Sequence, residues 1–202
     1  WNTPAPTTGW EEFPGGGGGG GAAPASGQNS VPTQNDCQRF ADIVDQMARS
    51  MNVHLAGPDD LSGTVQRFMD QLARRFTEFP SASYFGVAMV LIGSTDGRFN
   101  PGEFGSEGFA RSYYEPPIGK VPSNQVRHAV GGLLAGYVMG KDAGLRFMNS
   151  RENPGDLLHG VPDIRLNEQT VPMGAMIRGP MGYSYAARLG DWIREILCAG
   201  GV

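Results

Sequence analysis

The stretch that decides the fold runs from Ser123 to Asn153 and reads SNQVRHAVGGLLAGYVMGKDAGLRFMNSREN. Ser123 follows Pro122 and therefore suits the N-cap of a helix. Pro154 and Gly155 come directly after Asn153 and suit the end of a helix. The whole stretch is therefore predicted to form one long helix, which begins close to a histidine and ends at an arginine–glutamate pair.

Glycine occupies every fourth position along the middle of this helix. The four residues are Gly132, Gly136, Gly140 and Gly144. A glycine inside a helix costs about 1 kcal/mol relative to alanine. Residues four apart drift by only about 40° around the helix axis, so the four glycines share one face. The pattern predicts that another element packs very close to this face, as small residues allow between helices.

Helices are also predicted on both sides of this one. Apolar residues at steps of three and four predict amphipathic helices over 36–51 and over 63–79. Downstream, a proline suited to a first turn predicts a short helix over 163–167, and a last amphipathic helix is predicted over 184–198. These elements predict a mainly α fold, a bundle of about four to five helices around the glycine-rich one.

Residues 84–100 do not share this periodicity. A continuous apolar run from Tyr84 to Ile92 ends in a GSTDG turn, which fits a short β-hairpin or a short helix equally well. The loop that follows contains three oxygen-bearing residues with a superficial likeness to a calcium loop: Asp96, Asn100 and Glu103. Their spacing fails the EF-hand pattern because Arg98 stands where a ligand is required.

The ends of the chain differ in composition from its middle. Residues 1–35 contain the seven-glycine run 15–21 and are predicted to be a flexible linker, because they cannot bury enough apolar surface to offset ordering. The helical domain is expected over 36–198, followed by a disordered C-terminus over 199–202. Since the first residue is Trp1 and not methionine, we expect the chain to be a tail domain attached to a larger upstream protein.

Composition excludes several classes of function. The 202-residue chain has a net charge of −4 and a pI of about 5.3, which argues against nucleic-acid binding through overall charge. Its longest apolar run, Ala129–Gly140, has 12 residues, whereas a membrane span needs about 20. The zinc motifs HExxH and CxxC, the GxSxG elbow and the phosphate-binding loop do not occur, so no metal or cofactor is predicted.

The two cysteines lie at the boundaries of the predicted domain. Cys37 falls in the first helix and Cys198 ends the last one. A disulfide between them would close a loop of about 160 residues, for which chain entropy gives roughly 5 kcal/mol. Two buried free thiols are the alternative. We expect the disulfide because of the boundary positions, and it implies an oxidising location, either secreted or at the cell surface.

The candidate catalytic residues are His128, Asp163 and Asn167. His128 heads the glycine row, so a helix packed against that row brings its own side chains near the imidazole. If the 163–167 helix is that partner, a carboxylate and an amide face the histidine. A histidine held by a carboxylate is a common general base, with Asn167 left to bind substrate. The alternative is that His128 only packs or caps.

Two further polar residues are weaker candidates. Arg127 adjoins His128 in sequence. Glu152 follows it by 24 residues, which corresponds to about 36 Å along a straight helix. Glu152 can therefore reach His128 only if the helix breaks, for which Gly140 or Gly144 is suited.

Four segments resemble the tail regions that follow the core of bacterial RHS/YD-repeat proteins. They are DCQRFADIVDQMA (36–48), FMDQLARRFT (68–77), NQVRHAVGGLLAGY (124–137) and LGDWIREILC (189–198). The resemblance extends over about 36–198. In such proteins the repeats form a large shell, and the C-terminal region is often a variable toxin or effector. A further similarity is to helical domains at the ends of secreted bacterial proteins, although this chain has Arg151-Glu152 where those have a His-Glu pair.

The resemblance implies a secreted effector or toxin-like domain, with an upstream RHS-type shell and an immunity protein as partners. It does not specify an activity. Taken with the candidate residues, it leads us to expect a hydrolase with His128 as base and Asp163 as its orienting carboxylate. The alternative is a non-catalytic structural, adhesion or assembly module at the end of a repeat protein.

Overall fold

The computed structural model describes residues 34–60, 62–77, 79–84, 105–117 and 125–199. Residues 1–33 of the linker predicted over 1–35, residues 85–100 of the predicted hairpin or helix, the calcium-like residues and the N-cap at Ser123 lie outside these ranges, as do residues 200–202. Within them the chain is mainly helical, which confirms the predicted fold class. The described part contains no helix that is both long and apolar enough to cross a membrane.

The helices follow one another in the order predicted, with changed bounds. They are α1 (Asp36–Ser50), α2 (Thr64–Phe76), α3 (Gln125–Met139), α4 (Lys141–Asn149), α5 (Gly160–Arg178), α6 (Gly182–Ala187) and α7 (Leu189–Trp192). A 3₁₀ turn, Val53–Leu55, lies between α1 and α2, and a π-helical turn, Ile193–Leu197, follows α7. The final helix predicted over 184–198 is therefore divided into three short pieces.

The first two helices pack through their apolar faces. The side chain of Asn35 accepts a hydrogen bond from the backbone N–H of Gln38 and caps α1. Phe40 of α1 is fully buried and meets Phe76 of α2 edge to face, with 5.0 Å between ring centroids. This contact fixes the two helices against each other on one side of the core.

The prediction of one long helix from Ser123 to Asn153 is wrong. The chain breaks at Gly140, whose φ of +80° lies in the left-handed region that favours glycine. After the break, α4 folds back along α3: a Cβ on Gly144 would lie 3.2 Å from the backbone of Ala135, and one on Gly131 would lie 3.6 Å from Met148. Gly140 therefore acts as the corner between two helices.

The glycine face of α3 packs against α5, as predicted. A Cβ on Gly136 would overlap the carbonyl oxygen of Val171, and one on Gly174 would overlap the carbonyl oxygen of Leu133. Gly132 lies in the same way against the side chain of Thr170. The partner is longer than the short helix predicted, because α5 runs from Gly160 to Arg178. Small residues on both helices allow the two backbones to approach directly.

The predicted disulfide between Cys37 and Cys198 is present. Their Cα atoms are 5.6 Å apart, within the usual range for a disulfide. The segment around Phe109 lies beside this link and forms an isolated antiparallel bridge with Cys198. The N–H of Cys37 donates to the carbonyl of Glu107 at 3.0 Å, and that of Ala110 donates to the carbonyl of Leu197 at 2.8 Å. The start and the end of the described fold are thus joined both covalently and by hydrogen bonds.

Candidate functional site

Three separate segments bring a histidine and two carboxylates together. We call these three residues, His128, Glu152 and Asp163, the His128 cluster. His128 lies in the first turns of α3, Asp163 in the first turn of α5, and Glu152 just after α4. Nδ1 of His128 is 3.5 Å from Oδ2 of Asp163, and Nε2 is 3.8 Å from Oε1 of Glu152. One nitrogen or oxygen from each residue lies within 4.8 Å of the other two.

The expectation that Glu152 lies too far from His128 held only for an unbroken helix, and the structure overturns it. Of the two glycines suited to a break, Gly140 makes it. The return of α4 along α3 carries Glu152 back to the first turns of α3. The glycine row thus has two functions, since it permits close packing with α5 and supplies the corner that completes the cluster.

Asn167 lies against the imidazole of His128. It is fully buried, and its Oδ1 lies 3.0 Å from Nε2 of His128. Its Nδ2 donates to Oδ1 of Asn149 at 3.1 Å. With the amide in this orientation, Nε2 of His128 carries the hydrogen and donates to Asn167. The predicted role of Asn167 in substrate binding stays a prediction; in the structure its contacts are with His128 and Asn149.

Gln125 holds the nearby carboxylate of Asp163. Its Nε2 donates to Oδ1 of Asp163 at 2.9 Å, and Gln125 is fully buried. Sequence reasoning did not single out Gln125, although it lies three residues before His128 and therefore on the same side of the helix. Nor did it identify Asn149, for which the chain carries no local signal.

The cluster is largely desolvated and still reaches the surface. The side chains of His128, Glu152 and Asp163 are 13%, 16% and 11% exposed. Burial raises the pKa of Glu152; the neighbouring His128 acts in the opposite direction, and the carboxylate of Asp163 raises the pKa further. Glu152 therefore stays protonated to a higher pH than an ordinary glutamate.

Of the residues named from the sequence, four come together and one has no assigned role. The three members of the cluster and Asn167 form a single polar group. Arg127 is partly buried beside His128 on α3, and we give it no part in the site. The guanidinium of Arg151 lies 5.8 Å from the ring centroid of Phe147. Of the Arg151–Glu152 pair at the end of the stretch, we therefore assign Glu152 alone to the cluster.

The donor set of the cluster permits two kinds of chemistry. An imidazole beside carboxylates can accept and return protons. One imidazole nitrogen and two carboxylate oxygens are also the kinds of ligand found in catalytic metal sites, which keep a position open for water. No contiguous sequence motif contains this set of ligands, because its members come from three separate segments.

Comparison with known proteins gives no match. No family model matches the chain, and no curated protein or solved structure is significantly similar to it. These comparisons therefore neither support nor oppose the resemblance to RHS tail regions. The function has to be argued from the geometry of the His128 cluster.

Replacing Glu152 by glutamine should stabilise the chain at neutral and alkaline pH. Because the pKa of Glu152 is raised in the folded state, its stabilising contribution is complete below the pKa of the unfolded chain and is lost as pH rises through the folded value. Glu152→Gln removes that loss. In the presence of a chelator, its melting temperature should exceed that of the parent by a few degrees at pH 8 and match it near pH 4.

The control for this prediction is Glu168→Gln, which changes an exposed glutamate on α5. Glu168→Gln should leave the parent's difference in melting temperature between pH 4 and pH 8 unaltered. A Glu152→Gln variant that is less stable than the parent at pH 8 would contradict the interpretation, since it would mean that the charged form is favoured in the folded state.

Proposed function

We propose that this chain is the effector domain of a secreted RHS-type protein and that it is a hydrolase whose reaction takes place at the His128 cluster. The observation that carries the proposal is the convergence of three ionisable, largely buried side chains from three segments, which lie within 4.8 Å of one another. Such groups are costly to bring together away from water, and they occur preferentially at functional sites.

The surroundings of the cluster favour a functional role over a purely structural one. Two desolvated carboxylates near each other repel, and apolar residues of similar volume would often give a fold at least as stable. The buried amides of Gln125 and Asn167 instead orient Asp163 and His128. Side chains that are held in position by buried partners are what a catalytic site requires.

Roles follow from the hydrogen bonds. Because Nε2 of His128 is engaged by Asn167, Nδ1 is the nitrogen that can act as a base. In hydrolysis, water loses a proton to Nδ1 while its oxygen bonds to the electrophilic atom of the substrate. The bond between that atom and the leaving group breaks; Asp163 balances the charge that develops on the ring, and the carboxyl of Glu152, whose raised pKa favours its protonated form, donates a proton to the leaving group.

The disulfide supports placement outside the cytoplasm. Disulfides that join distant parts of a chain persist in oxidising compartments and are rare in reducing ones. The Cys37–Cys198 link fits a domain that is exported with the rest of an RHS-type protein. The proposal includes two partners, an upstream shell that carries the domain and an immunity protein that blocks it in the producing cell.

Expression in bacteria tests this proposal. We expect the parent chain to be toxic when it is directed to the periplasm, where the disulfide can form. His128→Ala should abolish the toxicity, because it removes the base. The control is His159→Ala, which removes another histidine beside a carboxylate, 3.2 Å from Asp156, and should remain toxic.

Stability has to be measured for the same variants. If His128→Ala is unfolded, Glu152→Gln replaces it, since that variant is expected to be at least as stable as the parent at neutral pH and should also lose toxicity. A parent chain that is harmless in both cytoplasm and periplasm would overturn the proposal and favour a non-catalytic assembly module. Equal toxicity of the parent and His128→Ala would exclude His128 from the reaction.

A further inference from the structure

The two contacts of His128 with the carboxylates are longer than hydrogen bonds. Nitrogen–oxygen hydrogen bonds in proteins are about 2.7–3.2 Å long. Nδ1 of His128 and Oδ2 of Asp163 are 3.5 Å apart, and Nε2 and Oε1 of Glu152 are 3.8 Å apart. Two ligands bound about 2.0–2.1 Å from one tetrahedral ion lie about 3.4 Å from each other. The separation between Nδ1 and Oδ2 is thus closer to that of two atoms that share an ion, and the candidate ligand atoms of all three residues lie within 4.8 Å of one another.

The outer hydrogen bonds of His128 and Asp163 leave one ligand atom free on each of these two residues. Nε2 of His128 donates to Asn167, so the lone pair of the ring is on Nδ1, which faces Asp163. Asp163 uses Oδ1 to accept from Gln125 and leaves Oδ2 toward Nδ1. A lone pair that faces a carboxylate oxygen is stable only when a proton or a cation lies between them. Metal-binding histidines are commonly held in this way by a partner on their other nitrogen.

A second observation comes from Gln125 and does not involve the carboxylates. Gln125 is fully buried, and among the described residues no donor lies within hydrogen-bonding distance of its Oε1. Its amide lies against Asp163, 2.9 Å from the carboxylate. A buried oxygen without a donor is costly, and buried waters commonly satisfy such groups. A water carried by an ion at the cluster is a donor of the required kind.

We propose that the His128 cluster binds one divalent transition-metal ion, Zn²⁺ or Mn²⁺, through His128, Asp163 and Glu152. The two carboxylates match the charge of such an ion, and the imidazole favours it over Ca²⁺, which takes six to eight oxygen ligands. Three protein ligands leave a position for water, as in catalytic zinc sites. This inference rests on the proposed function, because it names the group that activates the water. The imidazole and the carboxylate of Glu152 are then ligands, in place of base and proton donor, and the ion lowers the pKa of the bound water.

Calorimetric titration of the metal-free, disulfide-intact chain with ZnCl₂ or MnCl₂ tests the site. We expect one ion per chain for at least one of the two metals, and a higher melting temperature in its presence. CaCl₂ at the same concentration should leave the melting temperature unchanged. Glu152→Gln and Asp163→Asn each remove one ligand and should weaken binding by at least about tenfold. Two variants are used because Asp163→Asn also alters the contact with Gln125 and can destabilise the fold.

His159→Ala is the matched control for binding by surface histidines. His159 lies beside Asp156, but no third histidine, cysteine or carboxylate among the described residues joins that pair. The metal affinity of the His159→Ala variant should equal that of the parent. Absence of stoichiometric binding to the parent, binding that survives both ligand variants, or loss of binding in His159→Ala would each overturn the metal site.

The outcomes for the metal and for the proposed hydrolase are separable. Stoichiometric metal binding by a chain that is not toxic retains the metal site and refutes the hydrolase. Toxicity of a chain that binds no metal retains the hydrolase, with His128 as the base, and refutes the metal. Toxicity that is lost together with binding in Glu152→Gln, while His159→Ala keeps both, supports the two proposals together.

Discussion

Breaking the Cys37–Cys198 disulfide is expected to lower the free energy of unfolding by about 5 kcal/mol. The two cysteines are 161 residues apart, so the link removes a large loop-closure entropy from the unfolded chain. Small domains are stable by only about 5–15 kcal/mol in total. The reduced chain should therefore be marginally folded or unfolded at 37 °C.

Burial and hydrogen bonding explain why the native state gains from this link as well. Cys37 is 0% exposed and Cys198 is 6% exposed, so reduction leaves two thiols inside the core. The segment around Phe109 hydrogen-bonds both ends of the fold next to the link. When the ends separate, these bonds are exposed to water together with α1 and the π-helical turn.

Urea unfolding measures this prediction, with the parent chain compared in the presence and absence of a reductant. The Cys37→Ala, Cys198→Ala double variant should be destabilised similarly and should not respond to the reductant. Thiol labelling of the denatured, unreduced parent should detect no free thiol. A change in unfolding free energy below about 1 kcal/mol on reduction would show that the link contributes little in this chain, contrary to the chain-entropy argument.

Gly136→Ala should destabilise the chain by about 3 kcal/mol, although alanine is the better helix former. A Cβ at this position would overlap the carbonyl oxygen of Val171 and lie 2.9 Å from the amide nitrogen of Ala175. Both atoms belong to the backbone of α5, so no side-chain rotation can relieve the overlap. Overpacking of a well-packed core typically costs 1–3 kcal/mol, and displacement of two helix backbones belongs at the upper end.

The matched control lies on the same helix. Gly131→Ala adds a Cβ that meets only the methyl group of Met148 at 3.6 Å, an ordinary van der Waals separation. It should be neutral or stabilising by up to about 1 kcal/mol through helix propensity. For a protein of this size, 3 kcal/mol corresponds to a fall of roughly 6–12 °C in melting temperature. Equal melting temperatures for the two variants would refute the close backbone approach.

Local signals predicted the helices well, and they failed at one corner. The apolar periodicity identified α1 and α2 to within a few residues, and the glycine face was correctly predicted to pack closely against another element, with the helix that carries Asp163 as the conditional partner. The same pattern led to the wrong prediction of an unbroken helix through Gly140. A glycine at a helix corner and a glycine at a close contact look alike in a sequence, because both omit a Cβ.

The candidate site could likewise be predicted only in part from local patterns. His128, Asp163 and Asn167 follow from one helix pairing, so periodicity was enough to bring them together. The position of Glu152 near His128 depends on the helix break at Gly140, so the sequence allowed it only on the condition that the helix breaks. Gln125 and Asn149 became visible only when side chains from different helices were placed beside each other.

The sequence by itself determined that this is a mainly helical chain, with a glycine face for close packing and two cysteines at its boundaries. These properties depend on residues near one another along the chain or on residue type alone. The tertiary structure decided the direction of α4 after Gly140, and with it the arrival of Glu152 beside His128 and Asp163. That choice depends on how three helices share one core, an energy that no local pattern records.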